Sequence, residues 1–200
     1  MERRELESAA ATYAYLKGLL GIPGGLLAIL AALGNWEWGP LRHAWVFLAV
    51  ALMLAAMALL ISRYYEENYG RVTLSRVQRR RAAAAVIVGA PLMFGACLLL
   101  RSRAGWSLDL PVNAIPASFG LLMVATYAAG GVLRTHHVIV FGSVVAAGLL
   151  PVWDGADPSN TGLVLVGAAI IATGLLDHRL LVRTFGPPRG LALQDGNAGA

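Results

Sequence analysis

Apolar stretches recur along this chain at about the length needed to cross a bilayer. A helix spans ~30 Å of hydrocarbon with about 20 apolar residues. Six stretches approach that length, at residues 18–34, 41–62, 82–100, 111–133, 138–153 and 162–176. The fourth starts at Pro111 or Pro116. Backbone polar groups in lipid must be satisfied within the segment, so each stretch is expected to be α-helical. The pattern predicts an all-α, polytopic membrane protein with six transmembrane helices arranged as three hairpins. Charge content agrees: 14% of residues are charged, against about 25% in soluble domains.

Orientation follows from the polar interval 63–81, RYYEENYGRVTLSRVQRRR, between the second and third stretches. It holds six of the sixteen Lys and Arg residues. Short basic loops stay in the cytoplasm. That places both termini inside, with three basic residues in the leader, one at Arg134 and three in the tail. Only Arg42, Arg101 and Arg103 then lie outside, a split of thirteen to three. All five Trp fall at or beyond the outer boundary and all six Tyr in the cytoplasmic half, as interfacial residues should. The net charge of +5 is confined to loops, which fits an anionic inner leaflet rather than nucleic acid. Cys97 is the single cysteine, so no intrachain disulfide forms.

Residues 1–17 read as a cytoplasmic or interfacial lead-in helix, with Leu6, Ala9, Tyr13 and Leu16 on one face. It either lies in the interface or simply extends the first span. Its three acids and the spans that follow argue against a cleaved leader. Residues 18–185 form the membrane domain, and 186–200 a Gly/Pro/Ala-rich disordered tail. Pro23 is expected to kink the first span and Pro91 the third. Gly21 and Gly25 form a small-residue pair for close helix approach. Gly70 is expected to stop the second helix, and Thr73 to cap the next. A tight turn is expected at 134–137, and residues 177–185, DHRLLVRTF, as an amphipathic exit helix.

Candidate chemistry is sparse. No Asp, Glu, Lys or Arg lies in the middle of a span, which argues against a proton-coupled pump. Asn113, Ser118, Thr126, Ser143 and Thr173 are expected to hydrogen-bond between helices. Glu66, Glu67, His136, His137, Asp177 and His178 gather at the inner boundary. His, Asp and Glu are metal-ligand types. Neighbouring His136 and His137 diverge by about 100° on a helix, however, so both reach one metal only from an irregular turn. No HxxxH or HExxH spacing is present. Pairing with the many arginines is therefore expected, with no metal or cofactor and no catalytic residue. No phosphate loop, nucleophile elbow or dinucleotide fingerprint occurs.

Two surfaces remain. Trp36, Trp38, Trp106 and Trp153 form an outer aromatic rim, read as an interfacial belt that could also hold a cationic molecule. Tyr65, Tyr69, Arg76, Arg79, Arg80 and Arg81 form a basic face beyond what orientation demands, expected to dock a cytosolic protein.

The segments YYEENYGRV and LLDHRLLVR resemble those of small, uncharacterised bacterial six-span integral membrane proteins, a resemblance that implies no activity. The lead-in helix, six spans and helix after span two also resemble the membrane half of ABC exporters, although the connection between spans five and six is a bare turn. The expected role is a non-enzymatic accessory or sensing subunit of a bacterial inner membrane, in contact with the lipid bilayer and a cytosolic partner, and compatible with an oligomer. A small transporter or permease subunit is the other expectation.

Overall fold

In the computed structural model, residues 13, 16–70, 80, 83, 84, 87, 113–149 and 158–186 are described. Most of the third predicted span, including the Pro91 kink, and the Thr73 cap lie outside them, while Ala83, Ala84 and Ile87 within that span are helical. Among the described residues the protein is all-helical, with no strand. Five helices follow one another: α1 (Ile22–Asn35), α2 (Ala44–Tyr69), α3 (Ala114–Ala129), α4 (Thr135–Leu149) and α5 (Pro158–Phe185). Among the described residues, three segments are long and apolar enough to cross a membrane: Gly18–Asn35, Ala44–Tyr69 and Asn160–Phe185. α3 and α4 are apolar but shorter.

α1 begins after a 3₁₀ turn over Gly18–Gly21, with Pro23 in its first turn. That corrects the expected kink. A proline in the first turn costs no helix hydrogen bond, because the N–H it lacks would have no partner there. The same 3₁₀ turn separates α1 from helical Tyr13, so the lead-in is not an unbroken extension of the first span. α2 ends where expected, at Gly70 with φ 84°. α5 runs without a break through the predicted sixth span and exit helix.

Glycines set the packing of α1 against α5. A Cβ at Gly25 would fall 2.7 Å from the Gly167 carbonyl oxygen, and one at Gly167 would fall 2.5 Å from that of Gly25. One heptad away, Gly18 and Gly174 meet in the same reciprocal way. The two helices are thus antiparallel and nearly in backbone contact, which only residues without side chains allow. At the far end Asn35 Nδ2 donates to Asn160 Oδ1 at 2.8 Å, closing the pair. α3 and α4 form a second antiparallel pair, with Gly120 against the Phe141 carbonyl and Gly148 against Asn113 and Ala117. Asn113 caps α3 by accepting from the Ile115 N–H at 3.1 Å, and its own N–H donates to Gly148 O at 2.8 Å.

The connection between α3 and α4 differs from expectation. The chain turns at Gly130 and Gly131, the latter with φ 69°, and helix resumes at Thr135. Two glycines in a row are the stronger turn signal, so His136 and His137 belong to the first turn of α4 and not to a loop.

Candidate functional site

The first turn of α4 and the C-terminal part of α5 bring three metal-ligand residues together. His136 Nε2 lies 2.8 Å from Asp177 Oδ1, and His137 Nε2 lies 3.0 Å from the same oxygen. One ligand atom from each residue fits within 4.8 Å of the others. His137 and Asp177 are 2% and 1% exposed, while the His136 side chain keeps 22% exposure. The expected pairing of these groups with arginine is therefore corrected. The 100° divergence separates Cβ directions, whereas the length of an imidazole lets two adjacent Nε2 atoms converge on one carboxylate.

Local structure fixes His137. As the third residue of α4 its Nδ1 accepts the Arg134 backbone N–H at 3.2 Å, the reach-back of a capping box with histidine in place of Glu or Gln. Accepting at Nδ1 puts the proton on Nε2, which then donates to Asp177. The ring also packs at a tilt against Tyr127, 3.9 Å between centroids, and against His136 at 4.0 Å. Asp177 in turn packs its Cβ against Gly18, so the 3₁₀ turn before α1 leaves it room.

Beside this trio lies a cavity of about 160 Å³, lined by Lys17, Gly18, Met123, Phe141, Thr173 and Asp177 among others. Thr173 stands one turn before Asp177 on the same face of α5. It is 3% exposed, and its hydroxyl has no hydrogen-bond partner among the described residues. The expected interhelical bonds of the other hydroxyls turn inward instead. Ser118, Thr126 and Ser143 donate to carbonyls three or four residues back in their own helices. A Ser or Thr hydroxyl within a helix can satisfy itself on the carbonyl one turn back.

A tyrosine cluster adjoins the site. Tyr65 is 0% exposed. Its hydroxyl accepts the Leu19 N–H at 3.2 Å and lies 3.1 Å from His178 Nδ1. Tyr13 donates to the carbonyls of Tyr65 and Gly70, each at 3.1 Å. With Leu16 and Leu181 these residues form the core of the inner end. Tyr65, expected on a docking face, is thus placed inside the bundle. Tyr69 is half-buried against Tyr13, Tyr64 and Tyr65. Tyrosine is as suited to a wet core as to an interface, and residue type alone does not choose.

Of the remaining predicted residues, Arg80 is helical and exposed, and Arg76, Arg79 and Arg81 lie outside the described residues. Trp36 and Trp38 are exposed at the opposite end of α1, while Trp106 and Trp153 lie outside the described residues. Compared with known proteins, the chain matches no family, no curated protein and no solved structure.

Proposed function

We propose that this is a six-span protein of a bacterial inner membrane with both termini in the cytoplasm. In this reading it is a non-enzymatic accessory or sensing subunit that docks a cytosolic protein through the basic segment 63–81. The observation that carries the reading is the burial of Tyr65. Through His178 it ties the end of α2, from which the basic segment continues, to the residue next to Asp177. A change at the His136–His137–Asp177 cluster therefore has a packed route to the segment proposed to meet the partner. Exposed Arg80 leaves part of that segment open to a partner.

The test replaces Arg76, Arg79, Arg80 and Arg81 together by glutamine. The inner basic residues then fall from thirteen to nine, still three times the outer three, so insertion should survive. Recovery of the partner from membranes at matched expression should drop, since each desolvated charge pair lost costs about 2–5 kcal/mol. Unchanged recovery would reduce the segment to an anchor.

A small transporter is the second reading, favoured by the cavity between the 3₁₀ turn before α1 and helices α3, α4 and α5, with Asp177 in its wall. Flux of a solute across proteoliposomes, abolished by filling the cavity with Thr173→Phe, would favour it over docking.

A further inference from the structure

We infer that His136, His137 and Asp177 bind a divalent transition-metal ion of the zinc class, beside the cavity that Asp177 and Thr173 line. The donor set is two imidazoles and one carboxylate, the set that suits zinc and its first-row neighbours. Magnesium and calcium prefer six or more oxygens and have no match here.

The ligand-atom spacing is close to that of a tetrahedral site. With metal–ligand bonds of roughly 2.0–2.2 Å, ligand atoms in a tetrahedral site lie roughly 3.3–3.6 Å apart. The two Nε2–Oδ1 separations are 2.8 and 3.0 Å. Opening the trio by roughly 0.3–0.8 Å makes room for the ion. Both supporting elements are regular helix, and Asp177 and His137 are held by packing on every side. The ion would bring two positive charges to a site holding one carboxylate. Lys17 also lines the cavity, but its ammonium sits over the Tyr13 ring, 5.0 Å from the centroid, and not against Asp177.

Thr173 supplies the independent observation. A buried hydroxyl without a partner is costly in a protein interior. This one lies a single helical turn from the carboxylate and lines the same cavity. A water or hydroxide on the fourth position of the metal is the partner it lacks among the described residues.

Binding has a structural consequence. Coordination through Nε2 requires the His137 proton to move to Nδ1, where the Arg134 N–H now donates. That backbone bond must be given up. Metal binding therefore loosens the first turn of α4 and the Gly130–Gly131 connection before it. This inference goes beyond the docking role and does not depend on it, because binding is measured on the protein alone.

The experiment uses the full chain, purified in detergent with an affinity tag that lacks histidine. Zn²⁺ is titrated in competition with a chromophoric chelator, and Co²⁺ serves as a visible-absorbing probe. We expect one Zn²⁺ per chain and Co²⁺ bands in the tetrahedral range. Asp177→Asn and His136→Ala should each weaken binding by roughly 100-fold or more, beyond the 10–100-fold that outer-shell changes cost. His178→Ala, whose ring contacts Tyr65 and not Asp177, should bind as the native chain does. Size-exclusion elution and helical circular dichroism verify folding. Because His136 is partly exposed, its variant decides the matter if Asp177→Asn misfolds. Absence of one-to-one binding, or full affinity in His136→Ala, would overturn the assignment.

Discussion

Replacing Gly167 by alanine sets two effects of known sign against each other. Alanine is the better helix former by about 1 kcal/mol. In α5, however, the new Cβ would lie 2.5 Å from the Gly25 carbonyl oxygen and 2.7 Å from Ile29 Cγ1. Comfortable contacts between heavy atoms lie at roughly 3.5–4.0 Å, so the overlap is about 1 Å on two sides. One obstacle is a helix backbone that cannot rotate away. Overpacking of this kind costs about 1–3 kcal/mol, and a backbone obstacle points to the upper end. The expected net loss is about 1–2 kcal/mol. Gly24→Ala is the matched control, since no heavy atom of the described residues lies within 4 Å of its Cβ. That variant should gain up to about 1 kcal/mol. Reversible unfolding in mixed micelles reads both, and the opposite signs are the signature. Equal stabilisation by the two alanines would refute the close α1–α5 packing.

Two further outcomes follow from the tyrosine cluster. Tyr65→Phe leaves the Leu19 N–H without its acceptor and should cost about 1–3 kcal/mol in the same unfolding assay; no loss would mean that water replaces the phenol. Burial, and then the nearby Glu66 carboxylate, raise the Tyr13 phenol above its ordinary 10.0. The folded chain thus holds that proton more tightly than the unfolded chain, so its contribution is fully present below pH 10 and is lost as pH rises beyond it. Stability measured against pH should fall above pH 10 in the native chain and fall less in Tyr13→Phe.

Features carried by adjacent residues were legible in the sequence. Gly70 stops α2 because glycine alone tolerates φ 84° without strain. Gly21 and Gly25 announce a close helix contact by their spacing. The partner of Gly25 was not legible, because Gly167 is some hundred and forty residues away and nothing local relates the two. The metal-type trio stayed hidden for the same reason. Asp177 stands forty residues beyond His137, and no spacing motif describes ligands from two helices that converge only on folding. Composition placed His136, His137 and Asp177 at one boundary but favoured arginine as their partner, since charge counts carry no geometry. Tyr65 shows the converse limit. Its place in a polar, basic stretch pointed outward, yet the periodicity of α2 turns it toward Leu181 and the lead-in helix.

The central claim is a bundle that crosses the membrane with its His136–His137–Asp177 end in the cytoplasm. Single cysteines at positions 38, 78, 136 and 157, in a chain with Cys97 replaced by serine, test it directly. An impermeant maleimide added to intact cells should label positions 38 and 157 and leave 78 and 136 unlabelled until the membrane is opened. Labelling of position 78 from outside would contradict the account.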